Sequence, residues 1–115
     1  MDYDFDLKPT EGFKFEMINN KKIEISYKQH LYVCRLYIDE LEKVASNNSI
    51  NPMIQELIKS FLESVFTYRR TNKTLYLKDI EDKYNVLFGL KRVIPIFRNG
   101  RRNKDFDIIN NILHF

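Results

Sequence analysis

The chain of 115 residues has the length of one domain, residues 1–115, and is too short for two independent cores. Its composition, with 43% hydrophobic and 30% charged residues, excludes a disordered tail. The single cysteine, Cys34, excludes a disulfide framework and favours a reducing compartment, while the formal net charge of +3 conceals an uneven distribution of charge.

An acidic segment opens the chain. Carboxylates at positions 2, 4 and 6 alternate with apolar side chains until Pro9 interrupts the pattern, which predicts an acidic arm over about residues 1–10. A secretory signal would be basic and then apolar, and no apolar run has the length of a bilayer crossing. We therefore expect a soluble, cytoplasmic protein that makes no membrane contact.

Period-two alternation around Asn19-Asn20 predicts a β-hairpin over about residues 12–26, because Asn tolerates the positive φ of such turns. The following Ser26-Tyr27-Lys28-Gln29 has the form of a capping box, which predicts a helix that begins at Tyr27. Apolar residues at helical spacing extend this helix over about residues 27–46.

A second long helix is predicted over about residues 52–70, with Asn51 as its cap and Pro52 at its first position. Its broad apolar stripe would also serve a homodimer interface. The residues expected in the core are Phe15, Ile25, Leu31, Ile38, Leu41, Leu57, Ile58, Phe61, Leu62 and Val65.

Shorter elements are predicted in the last third. Residues 74–77 suit a short strand or an extended lead-in, and short helices follow over 78–84 and 87–94, with Asn85 ending the first and Pro95 the second. A turn at residues 98–101 then precedes a final helix capped by Asn103. The fold class is therefore α+β and mainly helical: a hairpin packed on two long helices, followed by shorter helices.

The order of elements over residues 77–97 is similar to that of a helix-turn-helix, but no family is indicated. Glu81 stands where the close crossing of two such helices favours a small residue, and Pro95 shortens the would-be recognition helix. The simpler interpretation is a pair of connecting helices whose basic residues face solvent.

Charge is segregated along the chain. Residues 1–68 carry 8 basic against 11 acidic side chains, whereas residues 69–115 carry 11 against 5, and residues 91–104 contain no acidic residue. Arginine forks suit phosphate or carboxylate, and the amides of Asn99 and Gly100 can face the same anion. The predicted anion-binding residues are Lys91, Arg92, Arg98, Arg101, Arg102 and Lys104, with additional contacts from Arg69, Arg70 and Lys73.

No catalytic or metal-binding pattern is present in the sequence. His30 and His114 stand alone, and paired Cys or His ligands at metal-binding spacing are absent, so we expect no enzyme activity, no cofactor and no metal. Three tyrosines, Tyr32, Tyr37 and Tyr68, are interpreted as core or boundary aromatics rather than as stacking platforms for bases.

These patterns favour a small nucleic-acid-binding regulatory or accessory protein that contacts DNA or RNA through its basic last third. The alternative is an adaptor or inhibitor that binds an acidic protein surface. Ile, Lys, Asn, Tyr and Phe make up 52 of the 115 residues, which suggests an AT-rich genome such as that of many phages, whose small proteins often block a host protein. A structural role without nucleic-acid contact, with the arginines bound to Asp and Glu of the acidic first part of the chain, is the third hypothesis.

Overall fold

In a computed structural model, which describes residues 8–115, the chain forms a three-stranded sheet, four helices and a small second hairpin. The elements are β1 (Phe13–Ile18), β2 (Lys22–Tyr27), β3 (Val33–Tyr37), α1 (Ile38–Ala45), α2 (Pro52–Thr71), α3 (Thr74–Val93), β4 (Phe97–Arg98), β5 (Arg101–Arg102) and α4 (Lys104–Ile112).

The predicted fold class is confirmed. Residues 8–115 are 53% helix and 20% strand, so the fold is α+β and mainly helical, and the N-terminal sheet packs on helices. The predicted acidic arm lies outside the described residues except for positions 8–10. None of the helices within residues 8–115 combines the length and hydropathy that a bilayer crossing requires.

The three strands form an antiparallel sheet in the order β1-β2-β3. Alternation gives the sheet one apolar face, on which Ile23 lies opposite Leu36 and is fully buried. On the other face Arg35 Nε donates to Glu24 Oε2 over 3.1 Å. The apolar face packs on the helices, and α2 lies between α1 and α3.

The predicted first hairpin is confirmed, with its turn at the expected residues. Asn19 and Asn20 adopt positive φ values of 53° and 59°, the left-handed conformation that Asn tolerates. The strands pair with Phe13 opposite Tyr27 and Ile18 opposite Lys22, so the turn chemistry fixes the register.

The predicted helix over residues 27–46 is wrong in its first half. Ser26 caps no helix but lies in β2 opposite Val33, and Leu31, expected in the core, is fully exposed in the loop between β2 and β3. The helix begins only at Ile38. The error comes from a spacing that suits two structures. Cys34 and Ile38 are four positions apart, which places them on one face of a helix and also on one face of a strand. Residues 33–37 form a strand because they pair with the edge of β2 that β1 leaves free.

The second predicted helix is confirmed as α2. Asn51 accepts a hydrogen bond from the Met53 amide at 2.9 Å, and Pro52 occupies the first helical position. Asn72 ends the helix in the left-handed conformation, with φ at 55°.

The two short helices predicted over 78–84 and 87–94 are wrong, as is the strand or lead-in at 74–77. Residues 74–93 belong to the continuous helix α3, and Ile94 follows its last residue. Asn85 does not end a helix, because its side chain donates to the Tyr27 hydroxyl at 3.1 Å and is held within α3 by this contact. Because α3 is one unbroken helix through Asn85, residues 77–97 do not form a helix-turn-helix. The helix ends before Pro95, as predicted.

Most of the predicted core is confirmed. Leu31 is the one member that is exposed, and Phe15 and Leu57 are only half-buried. The predicted residues that are buried are Ile25, Ile38, Leu41, Ile58, Phe61, Leu62 and Val65.

A buried carboxylate joins the sheet to α3. Glu81 is 1% exposed, and it accepts hydrogen bonds from the Thr10 amide at 2.8 Å and from the Tyr27 hydroxyl at 2.6 Å. Burial raises the pKa of the Tyr27 hydroxyl, and the bond to Glu81 raises it further, so this hydroxyl stays protonated and donates.

A second polar cluster joins α2 to α3. Lys83 Nζ donates to Ser64 Oγ at 2.7 Å and to Asp79 Oδ2 at 2.8 Å, and the Ser64 hydroxyl donates to Asp79. Burial acts to raise the pKa of Asp79, but the bonds from Lys83 and Ser64 prevail and hold it below its ordinary value. This cluster fixes the contact between the two long helices.

Truncation of the central aromatic side chain of α2 tests the core. We expect Phe61→Ala to lower the free energy of unfolding by about 3–5 kcal/mol, because it leaves a cavity at a site with no exposed surface. Chemical denaturation measures this, with Phe66→Ala on an exposed position of the same helix as the control. Equal losses in the two variants would contradict the packing described above.

Removal of the buried carboxylate tests its role. We expect Glu81→Ala to lower the free energy of unfolding by about 2–4 kcal/mol, because two donors lose their acceptor and a cavity forms. Glu81→Gln keeps an acceptor for the Thr10 amide, so its loss should be smaller. The exposed Glu63→Ala is the control in the same denaturation series, and a Glu81→Ala variant as stable as this control would refute the assignment.

Candidate functional site

The predicted basic residues fall into three separate groups. Arg69 and Arg70 lie in the last turn of α2, and Lys73 lies in the short connection to α3. Lys91 and Arg92 lie in the last turn of α3. The third group belongs to the hairpin β4–β5 and the start of α4, and consists of Arg98, Arg101, Arg102 and Lys104. Chain connectivity brings the second and third groups to one end of the molecule.

The first group lies far from the other two. Asn51, at the start of α2, donates to Asp105 at 3.2 Å and so places α4 beside that end of the helix. The 20 residues of α2 span about 30 Å at 1.5 Å per residue. Arg69, Arg70 and Lys73 therefore do not join the hairpin in one surface.

The predicted turn at residues 98–101 is a two-residue hairpin. Asn99 and Gly100 have φ values of 55° and 76°, the pair of positive values that such a turn requires. The turn pairs Arg98 directly with Arg101. We call residues 97–102 the arginine hairpin.

The two faces of the arginine hairpin differ. Because directly paired residues share a face, Arg98 and Arg101 project together, while Phe97 and Arg102 occupy the opposite face. Two like charges in this position repel each other. The fold nevertheless places two arginine residues directly opposite each other.

Arg102 has internal partners. Its Nε donates to Asp107 Oδ1 at 2.9 Å, and its guanidinium lies 5.7 Å from the ring centroids of both Phe97 and Phe106. Asn103 accepts from the Asp105 amide at 3.1 Å and so caps α4, as predicted. Asp107 lies in the basic last third, so this ion pair is local and does not join Arg102 to the acidic first part of the chain.

Arg98, Arg101 and Lys104 are exposed, and none forms an ion pair within residues 8–115. With Asn99, Arg102 and Asn103 they line an open concavity of about 510 Å³. The concavity is lined by four basic side chains, and among residues 8–115 the carboxylate that binds Arg102 is that of Asp107 alone. The arrangement can take an anion that presents several oxygens.

Lys91 and Arg92 line a different concavity of about 450 Å³, together with three aromatic side chains. Lys91 Nζ lies 4.5 Å from the ring centroid of Phe115, and the Arg92 guanidinium lies 5.8 Å from that of Phe88. Neither cation forms an ion pair with any residue from 8 to 115. We call this the aromatic pocket; it is lined by Tyr32, Phe88, Lys91, Arg92 and Phe115.

The aromatic pocket was missed from the sequence. Tyr32, interpreted there as a core or boundary aromatic, is 41% exposed and lines the pocket. Its partners are distant along the chain, so no local pattern groups them. One signal was present: Phe88 precedes Lys91 and Arg92 by three and four positions, which places a ring and two cations on one helical face.

The other reactive side chains, Cys34 and His114, are held by contacts within the fold. Burial raises the pKa of the Cys34 thiol to about 11, so it is protonated and inaccessible near neutral pH. His114 Nε2 lies 2.7 Å from Glu40 Oε1, and its backbone pairs with Arg35 of β3. Within residues 8–115, no three His, Cys, Asp or Glu side chains lie close enough together to hold a metal ion.

The sequence matches no family model, and neither a curated protein nor a solved structure matches the chain. Function must therefore be inferred from the two basic concavities themselves.

Repulsion within the arginine hairpin predicts that a stabilising substitution exists there. Arg101→Glu should raise the free energy of unfolding by about 0.2–1 kcal/mol, since it turns a like-charge pair into an ion pair with Arg98. Arg69→Glu makes the same charge change at a helix C-terminus, where losing a cation should instead destabilise. Thermal denaturation and hydrogen exchange at residues 98–101 measure both, and destabilisation by Arg101→Glu would contradict the pairing.

Proposed function

We propose that this is a small intracellular protein that binds nucleic acid through the arginine hairpin and Lys104. The observation that supports this most is the directly opposed pair Arg98 and Arg101, held on one face of a tight turn without a carboxylate from residues 8–115. Phosphate oxygens would offset the repulsion between these two side chains.

The chemistry of the pair suits a phosphate backbone. Each guanidinium offers a planar fork of donors to phosphate oxygens, and Lys104 adds a point charge nearby. Successive phosphates along a nucleic acid present anions at regular spacing, so neighbouring cations can contact neighbouring phosphates. These contacts fix position and carry no base information, so binding through the arginine hairpin alone would be largely independent of sequence.

An acidic protein surface is the second candidate partner. Phe97 is 62% exposed and Ile96 is 43% exposed, both beside the arginines. A large apolar residue next to arginine is typical of the centre of protein interfaces. An adaptor or inhibitor would use the same arginines against carboxylates and bury Phe97.

The test is a salt series with labelled single-stranded DNA, read by fluorescence anisotropy. The double variant Arg98→Ala/Arg101→Ala should bind more weakly, and the slope of log K against log[salt] should fall by about one for each phosphate contact removed. Arg102 is left intact, because its bond to Asp107 gives it a structural role.

The control is Lys43→Ala/Lys59→Ala, which removes two exposed charges from α1 and α2. It should leave the salt slope unchanged. If the wild type fails to bind DNA and RNA even at low salt, nucleic-acid binding is refuted. Retention of an acidic protein by the wild type but not by the arginine variant would then favour the second candidate.

A further inference from the structure

We propose that the aromatic pocket receives an unstacked base of a single-stranded nucleic acid. This proposal rests on the proposed function and adds to it a preference for single strands over duplexes. It concerns a surface separate from the arginine hairpin, built by the β2–β3 loop, the last turns of α3 and Phe115.

The rings of the pocket are partly exposed and have fixed orientations. Tyr32 is 41% exposed and Phe115 is 48% exposed. Phe115 lies nearly edge-on to both Tyr32 and Phe88, with centroid distances of 5.3 and 5.7 Å. Tyr32 also stacks on His30 at 5.1 Å, which supports its ring from behind. Such pre-ordered rings offer a flat ligand contact at little cost in side-chain entropy.

The charge of the pocket selects an anionic occupant. Lys91 and Arg92 supply two positive charges, and the pocket has no acidic side chain among its lining residues. A purely apolar ligand would leave both cations without an ion pair to residues 8–115. A base linked to its phosphate satisfies both features, because the ring can stack on the aromatics and the phosphate can meet the cations.

Distance links the pocket to the arginine hairpin. Arg98 follows Arg92 by six positions, so the backbones of these two residues lie at most about 22 Å apart. One flexible strand can therefore contact both surfaces, with phosphates on the arginines and a base in the pocket. A duplex keeps its bases stacked and paired, and so has no free base to offer.

The experiment compares three probes of equal length: oligodeoxythymidylate, the same strand without bases, and a DNA duplex. We expect the wild type to bind the thymidylate strand about tenfold more tightly than the abasic strand, as stacking of one base on aromatic side chains predicts. Phe115→Leu should abolish this difference while leaving the salt slope unchanged. Tyr32→Leu is the second variant, for the case that Phe115→Leu unfolds.

The matched control is Phe66→Leu, an exposed aromatic in the groove between α1 and α2, which should keep the tenfold preference. Equal affinity of the wild type for the thymidylate and abasic strands would refute the base pocket and leave the proposed function standing. Failure to bind any of the three probes at low salt would refute both. Loss of the preference in Phe66→Leu as well would also refute the assignment to this pocket.

Discussion

The Glu81 carboxylate determines how the sheet and the long helices meet. It is buried, and burying a carboxylate is unfavourable unless donors replace the lost water. Both donors, the Thr10 amide and the Tyr27 hydroxyl, come from the sheet side, and Asn85 holds the same hydroxyl one turn further along α3. The position of α3 along the sheet is thereby set. Both basic surfaces depend on it, since α3 carries the two cations of the aromatic pocket in its last turn and the arginine hairpin follows the end of α3.

Most turns and caps were predictable from local chemistry in the sequence; Ser26, which caps no helix, and Asn85, which ends none, are the exceptions. The turn and cap residues found as predicted act through their own backbone or a neighbouring amide. They are Asn19-Asn20, Asn51-Pro52, Asn99-Gly100 and Asn103. The turn of the arginine hairpin was predictable for the same reason, but its two short strands were not predicted.

Elements chosen by distant partners were not predictable in this way. Residues 33–37 carry apolar spacing that suits helix or strand, and only the open edge of β2 decides between them. Asn85 has a low helix propensity, yet a hydroxyl 58 residues away holds it inside a helix. The aromatic pocket draws on residues near positions 32, 88 and 115, which become neighbours only after folding. The misjudged elements and the missed pocket therefore share one cause, which is contact between residues far apart in the chain.

The same long-range contacts govern the order in which the chain can fold. The amide of Thr10 and the carboxylate of Glu81 are 71 positions apart, and the outer edge of β3 is covered by the backbone of His114. Closing a loop of this length lowers the conformational entropy of the chain before the contact at its ends can form. This cost slows folding. During synthesis the sheet alone would expose Ile23, Leu36 and an uncovered strand edge. We therefore expect the sheet and the helices to become native together, once position 114 has been synthesised, rather than in sequence from the N-terminal end.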